Sequence, residues 1–115
     1  MSDRMRKVNE AVREALASGI GELKDPRIGF VTVTGVDTTP DLREARVYVS
    51  VLGTEKKREQ TLEGLASAHG VLQARVADEL RMKRTPKLTF EYDRSVDYGV
   101  RISQLLDEHA PDDKP

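Results

Sequence analysis

Five cations stand close together in this sequence: Arg75, Arg81, Lys83, Arg84 and Lys87, opposed over residues 75–87 only by Asp78 and Glu79. Side chains of this kind neutralise phosphates, giving an affinity that falls steeply with salt and carries little base specificity. They follow Ala68-His69-Gly70, which interrupts what would otherwise be one long amphipathic helix. Leu62, Leu65 and Ala66 precede the interruption and Leu72, Val76, Ala77 and Leu80 follow it, both runs at helical spacing. Glycine costs about 1 kcal/mol against alanine inside a helix and is favoured where the backbone takes a positive φ. The spacing therefore predicts a helix, a sharp bend at Gly70, and a second helix whose first N–H groups are open to a phosphate. A bent helix pair with a basic exit points toward RNA.

Each cation also has a plainer reading. Arg75, Asp78 and Arg81 fall at i, i+3 and i+6, a spacing that suits surface ion pairs. Lys83 and Arg84 have no acid nearby in sequence and are assigned to RNA, with Gly70, Arg81 and Lys87 beside them. A second basic group near the N-terminus holds Arg4, Arg6, Lys7 and Arg13 against Glu10 alone. Arg6 and Arg13 share a flank of the first helix with Asn9, and are candidates for a second phosphate contact. An Arg6–Glu10 pair at i, i+4 is the competing reading. His69 is read as a helix-end donor or half-buried filler, and Lys56-Lys57-Arg58, between Glu55 and Glu59, as a solvated first turn. Phe30, Tyr48, Phe90 and Tyr92 have the faces on which bases stack. Three of them lie in alternating strand patterns that suit packing, so they are not assigned to RNA.

Net charge over the 115 residues is −1, which by itself argues against a nucleic-acid partner. The distribution argues otherwise, because acid gathers near the C-terminus at Asp107, Glu108, Asp112 and Asp113. A ligand within a Debye length of about 8–10 Å feels the local patch more than the sum. The length suits one domain, and there is no cysteine, so neither disulfides nor thiolate metal sites are available. No apolar run approaches membrane-spanning length, and a soluble, cytoplasmic protein is expected. His69 and His109 are the only histidines, and no nucleophile elbow, phosphate loop or metal-ligand spacing is present. A binding protein follows, with no catalytic residue, metal or cofactor.

The elements that must position the cations read as follows. Met5, Val8, Val12, Ala15, Leu16, Ile20 and Leu23 fall on one arc of a first helix, about 140° wide. Asp3 is its expected N-cap and Asp25-Pro26 its stop, with Asp25 bonding turn amides. A strand is expected over 29–36, and a second where Ala45, Val47, Val49 and Val51 alternate with polar residues. Thr54 caps the helix that starts near Glu55; the bend follows, and the second half-helix runs to about Met82. A third strand reads 88–92, with Leu88, Phe90 and Tyr92 on one face, and Asp93 caps a last helix carrying Val96, Gly99, Val100, Ile102 and Leu106. The first two strands suit a hairpin, and the bent helix pair is long enough for a crossover to a parallel third strand. An α+β layer follows, with a mixed three-stranded sheet covered by helices over 3–109 and a polar, disordered tail at 110–115.

This order, with particular stretches, resembles bacterial ribosome-binding factor A. The matching stretches are Lys24-Asp25-Pro26-Arg27-Ile28, Val31-Thr32-Val33-Thr34, Asp41-Leu42 with Ala45 to Ser50, and Arg84 to Phe90 with Asp93. The resemblance runs from about Arg4 to Leu106. It implies a single KH-like domain of the type II, α-β-β-α-α-β, kind, with an Ala-x-Gly bend in place of the Gly-x-x-Gly loop. The eight glycines here include no pair three apart, and Ala68-x-Gly70 sits where that loop would be. The resemblance further implies a non-enzymatic assembly factor that binds the free small ribosomal subunit and its ribosomal RNA. Such a factor serves late maturation and 5′-end processing of that RNA, including in the cold. A monomer without a membrane partner is expected. The rival is a protein-interaction module of KH-like shape that docks by acidic surfaces and never touches RNA.

Overall fold

The structure, a computed structural model, describes residues 3–81 and 84–95. The described chain opens with α1 (Asp3–Gly21), which buries Val12, Ala15, Leu16 and Ile20 of the stripe that its periodicity predicts, and Gly19 beside them. Asp3, expected as the cap, is already helical, and its carboxylate accepts from Arg6. Gly19 is buried because the helix carrying Leu72 crosses here: a Cβ would meet Leu72 Cδ2 at 3.1 Å. α1 ends at Gly21, four residues before the Asp25-Pro26 stop expected from sequence, while the turn at Asp25 is built as expected. Asp25 Oδ1 accepts from the Arg27 amide at 2.9 Å and both its oxygens hold the Arg27 guanidinium.

β1 (Val31–Thr38) begins two residues later than the pattern suggests. An irregularity between Val33 and Gly35 gives Thr34 no partner on the neighbouring strand. The extra residue lets Val33 and Val36 both turn toward the helices, which breaks strict alternation and blurs the sequence signal. β2 (Glu44–Val51) alternates cleanly, with Ala45, Val47, Val49 and Val51 buried. It pairs antiparallel with β1 and parallel with β3 (Lys87–Tyr92), so the sheet is mixed and ordered β1-β2-β3. Leu42, in the hairpin loop, takes a φ of 60°, which nothing in the sequence signals.

Between the second and third strands run α2 (Glu55–Ser67) and α3 (His69–Leu80). Thr54 caps α2 through its hydroxyl, which accepts from the Lys57 amide. The helical run is interrupted as predicted, but one point needs correction. The bend is made by Ala68, not by Gly70. Ala68 has φ −87° and ψ 7°, and its N–H is shared between the carbonyls of Gly64 and Leu65 at 3.0 and 3.1 Å. That conformation lies in the bridge region, open to any L-residue, so a single ψ change breaks the ladder and no positive φ is needed. Gly70 is an ordinary helical residue in the first turn of α3. Among the described residues Gly53, φ 130°, is the one positive-φ glycine.

Gly64 has a tighter role, since a Cβ there would stand 2.6 Å from Ile28 Cγ1. α3 stops at Leu80, and Arg81 adopts the left-handed C-cap conformation, its N–H bonding the Ala77 carbonyl. The core joins α1, the inner face of the sheet, Leu65 of α2 and Leu72 and Val76 of α3. After β3, Asp93 Oδ1 accepts from the Ser95 amide, as a helix cap would. The expected last helix from Val96 to Leu106, His109 and the tail at 110–115 lie outside the described residues, as do Met82 and Lys83.

Candidate nucleic-acid interface

α3 starts without a side-chain cap, and Gly70 and Val71 in its first turn are exposed. The first N–H groups of a helix have no partner within it, and the dipole adds partial positive charge there. At Gly70 an added Cβ would meet nothing within 4 Å, so the backbone itself is open to an approaching group. A groove runs from this point along α3, lined by His69, Gly70, Gln73, Ala74 and Ala77 with Thr85 and Lys87 opposite. A second hollow continues it along β3, from Leu62 and Ala66 of α2 past His69 to Lys87, Thr89 and Phe90. His69 and Lys87 belong to both, so the two form one channel between the helix pair and the edge of the sheet.

Side chains hold that channel in shape. Gln73 donates from Nε2 to the Pro86 carbonyl at 2.6 Å and accepts at Oε1 from the Leu88 amide at 3.1 Å. His69 Nε2 lies 3.0 Å from the Leu88 carbonyl, which gives it the helix-end donor role its position suggests. These three contacts fix the segment carrying Arg84 and Lys87 against α3. Sequence reasoning passed over Gln73; its signal is that it is the one side-chain amide in α3, on a helix otherwise of apolar, small and charged residues.

The cations divide into two sets. Arg81, Arg84 and Lys87 are exposed and, among the described residues, make no ion pair. Arg75, expected beside them, turns instead to α1. Its guanidinium bonds Glu22 at 2.6 Å, Glu79 at 2.8 Å and the Ser18 hydroxyl at 2.8 Å. The Glu22 and Glu79 hydrogen bonds raise its pKa above the ordinary arginine value, and it makes no pair with Asp78. Arg13 is paired with Glu10, which raises its pKa and lowers that of Glu10. Arg6 pairs with Asp3, not with Glu10. Arg6 and Arg13 therefore sit on α1, away from the channel and already partnered. Lys83 lies outside the described residues.

Comparison with known proteins bears on this arrangement. The model of a family described as ribosome-binding factor A matches residues 4–106. A protein of that name from Geobacter sulfurreducens is 49% identical over 110 residues, which are 94% of this chain and 92% of the relative. The chain belongs to the ribosome-binding factor A family. The crystal structure of ribosome-binding factor A from Thermus thermophilus superimposes with a TM-score of 0.72 at 33% identity, covering 79% of this chain and 97% of that one. A homology model of the Thermus thermophilus protein, fitted into a cryo-EM map of its complex with the 30S particle, gives a TM-score of 0.64 at 35% identity. That match covers 75% of this chain and 91% of the other. The KH-like fold expected from sequence is thus the fold of the family, with a one-residue break at Ala68 where α2 gives way to α3.

Proposed function

We propose that this chain binds the maturing small ribosomal subunit through the sugar-phosphate backbone of its RNA, acting as a non-catalytic assembly factor in the cytoplasm. The observation that carries this reading is how the candidate cations divide: Arg6, Arg13 and Arg75 are paired with carboxylates, whereas among the described residues Lys87 beside the uncapped start of α3, Arg84 three residues before it and Arg81 at the far end of α3 make no ion pair. Free cations beside open backbone N–H groups suit phosphate. The Geobacter and Thermus relatives bear the name ribosome-binding factor A, and the Thermus protein was fitted into a 30S complex; these names support the choice of partner. Lys83 extends the same basic run in sequence. The role extends to late maturation and 5′-end processing of the RNA and to growth in the cold, with the domain at 3–109 acting as a monomer. A factor of this kind must leave its particle, so it binds the immature form better than the mature one; only such differential affinity shifts the equilibrium between them.

Sedimentation of the protein with purified free small subunits through sucrose gradients tests the proposal. The wild type co-migrates at low salt and is released as salt rises. Arg84→Glu with Lys87→Glu abolishes co-migration while the melting temperature stays unchanged. Undiminished association of that double variant would reject an RNA contact and favour docking through protein surfaces.

A further inference from the structure

β3 lies at one side of the sheet and among the described residues pairs only with β2, so its other edge faces the channel. In a parallel pair, alternate residues direct both their N–H and C=O toward the same neighbour. The Lys87 amide bonds the Arg43 carbonyl and the Asp93 amide bonds the Val49 carbonyl, which assigns the odd-numbered residues to β2. Leu88, Phe90 and Tyr92 therefore direct their backbone groups outward, and of these Leu88 and Phe90 line the channel. An open strand edge of this kind offers a fixed row of donors and acceptors. It is the one regular array in the channel with the geometry to recognise the edge of a nucleobase, as amide pairs do.

Within the channel, most of that row is already used. Gln73 occupies the Pro86 carbonyl and the Leu88 N–H, and His69 occupies the Leu88 carbonyl. Each end of the Gln73 amide commits a bond to β3 in doing so, which fixes the amide against the strand. Among the described residues, the outward N–H and C=O of Phe90 bond to no side chain or backbone group. Lys87 at the rim and Gly70 at the helix start offer only charge and open backbone, which do not distinguish one base from another.

Building on the RNA-binding reading above, we infer that Gln73 and His69 set the sequence specificity of this channel by blocking the β3 edge, so that it reads at most one nucleobase, at Phe90. The RNA is then selected by backbone shape and charge. This fits a strand that is displaced or unpaired, whatever its sequence. Gln73 and His69 are specificity-determining residues through what they withhold.

Selection from a randomised single-stranded RNA pool tests this, with the full-length protein as bait and sequencing of the bound fraction. The wild type is expected to enrich a preference at no more than one position. Gln73→Ala uncovers the Leu88 N–H and the Pro86 carbonyl, and should add a second, adjacent preferred position, with enrichment on the order of tenfold for the favoured base. Thermal melting confirms that the variant is folded; should it not be, His69→Ala, which uncovers only the Leu88 carbonyl, takes its place with the same expectation. A wild-type motif of two or more adjacent specified nucleotides would overturn the inference. So would a folded variant whose preferences match the wild type. Failure of the wild type to retain any RNA would instead overturn the proposed function, a separate outcome.

Discussion

Gln73 and Arg75 sit two residues apart on α3 and serve opposite faces. Gln73 turns to the channel and bonds β3 from both ends of its amide, while Arg75 turns to α1 and is held by Glu22 and Glu79. Replacing Gln73 by alanine leaves the Leu88 N–H and the Pro86 carbonyl without partners in a half-buried setting. The expected cost is about 1–3 kcal/mol, read as a lower midpoint in urea with an unchanged slope; a loss below a few tenths would show the amide to be incidental. Asp93 supplies a second prediction at this scale. Hydrogen bonds from Ser95 and from the Thr34 hydroxyl lower its pKa, and the Thr34 bond ties β1 to the end of β3. A carboxylate with a depressed native pKa contributes stability that is complete above its unfolded value of about 3.9 and is lost as pH falls through the native value. Asp93→Asn should therefore lower the melting temperature at neutral pH and flatten its fall below about pH 4, so that the two curves converge in acid. Parallel curves for the two proteins would show that the carboxylate contributes nothing.

Glycines show how far an element can be read from its sequence. Gly70 draws the eye because it interrupts a helical pattern, yet it is helical itself and its Cβ position is open. Gly70→Ala should raise stability by about 0.5–1 kcal/mol and at the same time weaken small-subunit binding, because a methyl group would stand where a phosphate approaches. Stability and binding rising together would remove Gly70 from the interface. Gly64, unremarked in the sequence, is the glycine that packing demands: a methyl there would press on Ile28 at 2.6 Å. Gly64→Ala should lower the melting temperature even though alanine favours helix, and an unchanged temperature would mean Ile28 yields freely. Periodicity made the helices, the β2 strand and the parallel β3 legible, since one buried face repeats along each. The start of β1 was not legible, because the unpaired Thr34 breaks its alternation. The site of the bend was displaced by two residues, because Ala68 makes the turn with a backbone angle that no residue type announces.

Across the whole molecule, net charge is close to zero and says little about the partner. Which cations are free says more, and sequence showed this only in part. Local spacing exposed the lack of acids around Arg84, and it suggested pairing for Arg75. It could not show that the partners of Arg75 include Glu22, 53 residues away just past the end of α1. Nor could it show that Gln73 and His69 would meet β3, because that contact exists only once the crossover has brought the strand alongside α3.

The account rests on Lys87 being free to meet a phosphate and Arg75 not. Equilibrium binding of Lys87→Gln and Arg75→Gln to free small subunits, measured across a salt series, tests this most directly. For Lys87→Gln the slope of log affinity against log salt should shrink by about 0.7–0.9, the share of one phosphate contact. Arg75→Gln should lose stability and keep the wild-type slope. An unchanged slope for Lys87→Gln, or a reduced one for Arg75→Gln, would contradict the account.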